Sequence, residues 1–137
     1  MPSPLKITPL TDMIMVAGQV AADDVSGLAE VGVTTVVSHR PDGEEPGQPD
    51  SADLRRAFEA AGISFVLAPV SGFPTNEAVQ RTADAIATAD GKVLLFCRSG
   101  LRSTVTWALA RRLAGDDADD LREAARAAGY DLSSVPL

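Results

Sequence analysis

The sequence predicts an α/β domain of three layers, with helices on both faces of a mostly parallel central sheet. Three observations carry that expectation. Short apolar or β-branched runs recur at 14–16, 33–37, 63–70 and 93–96. Segments with helical spacing of apolar residues lie between them, most of them closed by a glycine. Polar loops follow the runs 33–37, 63–70 and 93–96, the pattern of an open sheet whose working edge lies at the strand C-termini.

Taken in order, residues 1–9 carry three prolines and read as an extended lead-in. A first strand covers 14–16, with Asp12 in the turn before it and Gly18-Gln19 ending it. Asp23 or Asp24 caps a short helix running to about Val31, with Val25, Leu28 and Ala29 on its apolar side and Gly32 as its stop. The β-branched run VTTVV at 33–37 is an interior strand. It empties into the longest irregular segment, 38–49, which is polar and rich in glycine and proline. A loop of that length at a strand C-terminus is able to shape a site.

Asp50 or Ser51 caps the next helix, whose stripe is Leu54, Ala57, Phe58 and Ala61 and whose end is Gly62. A strand over 63–70 is weakened near its end by Pro69, and Ser71-Gly72-Phe73-Pro74 forms a second loop on the same edge. Thr75 or Asn76 starts a helix to about Ala89, with Ala78, Val79, Thr82, Ala83 and Ile86 on its apolar face. The continuous run Val93-Leu94-Leu95-Phe96 suits a central strand covered on both faces. A helix is expected from Thr104 to near Gly115, with Trp107 packed in the interior. The acidic cluster from Asp116 to Asp120 reads as a solvated cap on a last helix, which carries Leu121, Ala124, Ala125 and Ala128. Tyr130 and Leu132 fold back onto the body.

The chain has 137 residues, the length of a single domain over 1–137. Its net charge of −7 argues against nucleic-acid and anionic-membrane binding, without excluding a small anion in a locally positive pocket. One cysteine excludes an intramolecular disulfide and fits a reducing, cytoplasmic setting. The sequence has neither a signal-peptide pattern nor an apolar run of membrane-spanning length. With one histidine and one cysteine no zinc site is expected, and no cofactor is called for.

Chemistry concentrates at Cys97-Arg98-Ser99-Gly100-Leu101-Arg102-Ser103. A cysteine between a strand end and a helix N-terminus, beside guanidinium groups, is placed where a thiolate is favoured and an anion binds. Successive N–H groups in such a turn can cradle an oxyanion, and Gly100 permits close backbone approach or a positive φ. Arg102, where the turn becomes helix, is the expected bidentate clamp. Arg98 faces solvent or a carboxylate; Ser99 and Ser103 offer hydroxyl donors to the sulfur or a leaving atom. A lone cysteine at a strand end is more often a small buried hydrophobe. A packed structural turn, however, has little use for two arginines.

Around this turn, His39 is a candidate proton shuttle by residue type, or else a partly exposed loop histidine or one hydrogen-bonded across the loop. Arg40 either assists anion binding or pairs with Asp42 or Glu44. Asp42 is the candidate general acid, although Pro41-Asp42-Gly43 is equally an ordinary turn. Glu44 and Glu45 are weaker candidates for the acid and are expected to be solvated. Gln19 lies in a turn or at the surface, or else reaches the site from the end of the first strand, and Phe73 and Pro74 form a rim for an aromatic or apolar substrate group.

The loop Cys97 to Ser103 resembles that of rhodanese-like sulfurtransferases and of a group of phosphatase-like proteins. Gly18-Gln19, Gly32-Val33, Arg40-Pro41-Asp42-Gly43-Glu44 and the stretch from Gly91 to Trp107 extend the likeness over nearly the whole chain. They resemble the bacterial beta-lactamase hydrolase-like, phosphatase-like family. That resemblance implies a dual-specificity phosphatase-like fold, with Cys97 as nucleophile and Arg102 as the phosphate-binding arginine. Compared with ordinary cysteine phosphatases, Phe96 stands before the cysteine where they have histidine. Four residues instead of five separate Cys97 from Arg102, and Ser71-Gly72 stands where an acidic residue is usual.

Three functions follow as expectations. The first is hydrolysis of a phosphate monoester, borne by a small molecule or a protein, through a Cys97 phosphoenzyme. The second is rhodanese-like transfer of sulfane sulfur between a donor and an acceptor through a Cys97 persulfide. The third is a non-catalytic or redox-sensing anion-binding module. The oligomeric state is left open.

Overall fold

Strands β1 (Ile7–Pro9), β2 (Ile14–Ala17), β3 (Val33–Ser38), β4 (Ser64–Leu67) and β5 (Lys92–Phe96) form one sheet in the order β1-β2-β5-β3-β4. The computed structural model describes residues 5–137. β2, β5, β3 and β4 are mutually parallel, and β1 adds an antiparallel edge. That edge corrects the expected lead-in, because residues 7–9 pair with 15–17 and Pro9 sits on an edge strand, where a missing N–H is tolerated. Residues 1–4 of the lead-in lie outside the described residues.

Alternation along the strands divides the interior in two. Val16, Val37, Val93 and Leu95 face α3 (Asn76–Thr88), α4 (Leu101–Leu113) and α5 (Ala118–Ala127), where Ala85, Trp107, Ala108 and Leu121 complete the core. Ala17, Val36, Leu94 and Phe96 face α1 (Val25–Glu30) and α2 (Ser51–Ala60), packing with Leu28, Leu54 and Phe58. Leu94 and Leu95 are both fully buried, one on each face. The continuous apolar run of β5 is therefore that of a strand with no solvent side. These layers form the expected α/β/α fold with a mostly parallel sheet.

Register sets the position of the functional edge. Ala17 and Ser38 both pair with Phe96, and Ser38 also pairs with Leu67. The chain therefore leaves the sheet at Gly18, His39, Ala68 and Cys97 along one line. Bonds just past the strands extend the ladder: His39 N–H to the Phe96 carbonyl at 2.8 Å, and Val70 N–H to the His39 carbonyl at 2.8 Å. β4 is shorter than the expected 63–70, though Ala68 N–H still bonds the Ser38 carbonyl at 2.8 Å. At the α2 N-terminus the cap comes from an unexpected residue. The Asp50 side chain makes no capping bond; Asp42 Oδ1 instead accepts from both Ser51 N–H and Ser51 Oγ, each at 2.9 Å.

Candidate active site

The turn after β5 is shaped around the Cys97 sulfur. Gly100 has φ +95°, a left-handed conformation that glycine adopts without strain. In that pose its N–H donates to Cys97 Sγ at 3.0 Å. The expected helix start at Thr104 is corrected by the same residue: Gly100 is the N-cap and α4 begins at Leu101. Its carbonyl accepts from Thr104 N–H and Thr104 Oγ1, so the turn is fixed to the first helical turn. From the other side, a Cβ at Gly18 would stand 2.9 Å from the Arg98 carbonyl oxygen. The end of β2 thus approaches the turn too closely for a side chain. Cys97 itself is fully buried.

Arg102 projects from the first turn of α4. Its guanidinium donates to both oxygens of Glu44, at 2.7 and 2.9 Å, and to the Val70 carbonyl at 2.7 Å. Glu44 Oε1 also accepts from Arg40 Nε at 2.9 Å. Arg40, 2% exposed, reaches Glu45 at 2.8 Å and Gln19 Oε1 at 3.0 Å with its remaining nitrogens. Hydrogen bonds from Arg102, supported by those from Arg40 and opposed by partial burial, push the Glu44 carboxyl down to about 2. Burial opposes the charge of Arg40, but its bonds to Glu45 and Glu44 outweigh it and raise its pKa. Arg102 is raised as well, first by the bonds it donates to Glu44 and then, against burial, by the Glu44 charge.

Beneath the turn lies His39, with no exposed surface. Its Nε2 is 2.8 Å from Thr82 Oγ1, whose own hydroxyl donates to the Ala78 carbonyl at 2.8 Å. Thr82 Oγ1 has its one hydrogen committed, so Nε2 must be the donor. Nδ1 is then the acceptor, taking the hydroxyl hydrogen of Ser103 at 2.8 Å. Burial, with the charge of Arg102 second, lowers the His39 pKa to about 3, so the ring is neutral at physiological pH.

Several expectations change here. His39 is a core residue and not a loop histidine, because the register brings Thr82 and Ser103 to its two nitrogens. The Ser103 hydroxyl is directed at His39 and not at the sulfur. Asp42 is bound to the N-terminus of α2, which favours its structural reading over a role as acid. Glu44 and Glu45 are ion-paired instead of simply solvated, and Gln19 is drawn into the same network. Arg98 is 68% exposed and lies 3.7 Å from Glu45. Ser99 Oγ accepts from Leu101 N–H at 3.4 Å, and Leu101 itself is exposed. Phe73 and Pro74 line a groove with Leu109 and Leu113, away from the turn.

Glu44, expected as a partner of Arg40, also takes the fork of Arg102. The sequence offers no signal that brings Tyr130 to the site. Tyr130 donates its hydroxyl to the Ser99 carbonyl at 3.0 Å, and a Cβ at Gly100 would collide with that hydroxyl oxygen. Its pKa is raised by burial and then by the nearby Cys97. Among the described residues, no three His, Cys, Asp or Glu side chains gather where a metal ion could be held, and no helix is long and apolar enough to cross a membrane.

Comparison with known proteins shows the family and the fold. A beta-lactamase hydrolase-like protein of Xylella fastidiosa is 34% identical over 130 residues, covering 93% of this chain and 30% of that protein. One from Agrobacterium fabrum is 32% identical over 133 residues, covering 96% of this chain and 31% of that protein. The chain spans about a third of the length of these curated relatives. A solved structure of a candidate phosphatase from Neisseria meningitidis superposes with a TM-score of 0.79 at 31% identity, covering 93% of this chain and 92% of that one. Kinase-associated phosphatase, solved with its catalytic-site cysteine replaced by serine, superposes with a TM-score of 0.73 at 16% identity, covering 94% of this chain and 85% of that one, a likeness of fold. The family model of the beta-lactamase hydrolase-like protein, phosphatase-like domain, matches residues 6–114, and the chain belongs to that family.

Proposed function

We propose that this domain is a cysteine-dependent phosphatase acting on phosphate monoesters with a good leaving group. The carrying observation is the Arg102 guanidinium, which holds two carboxylate oxygens in fork geometry beside a turn whose amide addresses Cys97 Sγ. That is the arrangement a phosphoryl group needs. The Cys97 thiolate attacks phosphorus, the phosphorus–oxygen bond to the leaving group breaks, and the oxygen departs with the electron pair. Arg102 and the turn amides take the charge on the equatorial oxygens. Water then attacks the cysteinyl phosphate and releases inorganic phosphate and the thiolate. A substrate phosphate displaces Glu44 from the fork.

A second reading rests on a different observation. Glu44 is ionised at any pH near neutral, and Asp42 is engaged with Ser51, so neither is poised to protonate a leaving oxygen. Sulfur transfer requires no such proton. The Cys97 thiolate attacks the outer sulfur of thiosulfate, the S–S bond breaks, sulfite leaves with the electron pair, and a persulfide remains. A thiophilic acceptor such as cyanide then takes the terminal sulfur and restores the thiolate.

Paired assays on purified protein separate the two: phosphate release from aryl phosphates, and thiocyanate formation from thiosulfate and cyanide. The genuine activity disappears in Cys97→Ser. Phosphate release that survives in Cys97→Ser, or is absent from the wild type, overturns the phosphatase reading.

A further inference from the structure

Beside the Cys97 turn, a cavity of about 500 Å³ opens between β1, the end of β2 and the segment after α5. Lys6, Thr8, Gln19, Arg98, Ser99 and Tyr130 contribute to its walls, and the lining includes no aspartate or glutamate. In a chain with a net charge of −7, a concavity with two cations and no carboxylate reverses the general field. Its size suits a small molecule.

The cations of this edge differ in what they have left to offer. Arg40 and Arg102 are committed to Glu44, Glu45, Gln19 and the Val70 carbonyl. Among the described residues Arg98 pairs only with Glu45, at 3.7 Å, beyond charge-assisted hydrogen-bond range. Lys6 is exposed, and none of the ion pairs among the described residues involves it. Thr8 adds a hydroxyl to the same wall. Arg98 and Ser99 belong both to the cavity and to the turn that wraps the sulfur, so one ligand can lie across the turn and reach both sides.

We propose that this cavity is a second anion subsite. A small substrate whose reacting group is held at Cys97 places a further carboxylate or phosphate between Lys6 and Arg98. The preferred substrates are therefore small molecules with two anionic groups. This rests on the reading that the Cys97 turn receives the reacting anion.

The test is calorimetric binding to the Cys97→Ser protein, with phenyl phosphates carrying a carboxylate on arms of one to four methylenes, each beside its neutral carboxamide counterpart. At one arm length the carboxylate binds about tenfold tighter, the factor equivalent to ~1.4 kcal/mol. That preference falls in Lys6→Ala and in Arg98→Ala, and inverts in Lys6→Glu. Equal binding of carboxylate and carboxamide at every arm length overturns the proposal, as does a preference that survives Lys6→Ala. Binding needs no turnover. A Lys6-dependent preference in a protein that releases no phosphate would thus sustain the subsite and remove the phosphatase reading, and phosphate release without the preference would do the reverse.

Discussion

Both carboxylate oxygens of Glu44 rest on the guanidinium of Arg102, so the group best suited to hold a substrate oxyanion already holds a carboxylate of the protein itself. Arg40, buried below, binds Glu44 Oε1 as well and keeps that carboxylate in place. A substrate must compete with a partner that stays charged down to pH near 2. Arg102 does not depend on Glu44 alone, because the Val70 carbonyl also accepts from it at 2.7 Å.

Replacing the carboxylate should therefore tighten anion binding. In Glu44→Gln the fork loses its charged competitor while the Val70 bond still orients it. The dissociation constant for inorganic phosphate, measured by calorimetry, should fall by about three- to tenfold, or roughly 1 kcal/mol. Weaker binding in that variant would mean that Glu44 positions Arg102 more than it competes.

The turn itself should be sensitive to Tyr130. In Tyr130→Phe the bond to the Ser99 carbonyl is lost, at a cost of about 0.5–1.5 kcal/mol, and the turn loses its outer support. Gly100→Ala should be worse, since it combines a positive φ with a clash against the Tyr130 hydroxyl. Tyr130→Ala should recover part of the Gly100→Ala stability, because it removes the contact but not the backbone strain. Denaturant unfolding of the two single variants and the double variant checks this. Strictly additive losses would show that the contact is relieved elsewhere.

How much of this was legible beforehand follows from sequence separation. Cys97, Gly100 and Arg102 lie within six residues, and a strand, a glycine and a helix start in that order suffice to place them together. The fold was legible for the same reason, because strand runs and helix stripes are local patterns. The partners were not local. Glu44 meets Arg102 across 58 positions, His39 meets Thr82 across 43 and Ser103 across 64, and Tyr130 meets Ser99 across 31. The Glu44–Arg102 and His39–Ser103 contacts depend on the register that aligns Ser38 with Phe96, and the Thr82 and Tyr130 contacts on how α3 and the segment after α5 pack, none of which a single segment specifies. The edge strand β1 was hidden by the three prolines of residues 1–9, and the Asp42 turn was visible while the helix it caps, nine residues on, was not linked to it.

Buried neutral His39 should govern acid stability. Its ordinary pKa of 6.5 applies in the unfolded chain, and about 3 in the folded one. Between those values the unfolded state binds the extra proton, so stability is complete above pH 6.5 and falls as the pH drops toward 3. The slope approaches ~1.4 kcal/mol per pH unit. Glu44 adds its own loss only between about 4.5 and 2, because its folded value is depressed. The window from pH 6.5 to 5 thus reports His39. Urea unfolding at pH 7 and pH 5 should differ by about 2 kcal/mol in the wild type. The difference should largely vanish in His39→Gln, whatever that variant costs overall; an unchanged difference would point to another group.

The leaving group gives the last expectation. With Glu44 ionised and Asp42 bound to Ser51, neither carboxyl is poised to donate a proton, so the departing oxygen should carry its full charge and the phosphatase rate should rise steeply as the phenol becomes more acidic. Enzymes with a positioned acid gain about 10²–10⁴ from it and show a shallow dependence. Across a series of aryl phosphates, kcat/KM should span several orders of magnitude, with alkyl phosphates turned over barely or not at all. Asp42→Asn discriminates between its two roles. If Asp42 only caps α2 through Ser51, the variant loses about 0.5–2 kcal/mol of stability and keeps the same leaving-group slope. A slope that steepens selectively for poor leaving groups would return Asp42 to the position of acid, and would require the loop from Pro41 to Gly43 to move when substrate binds.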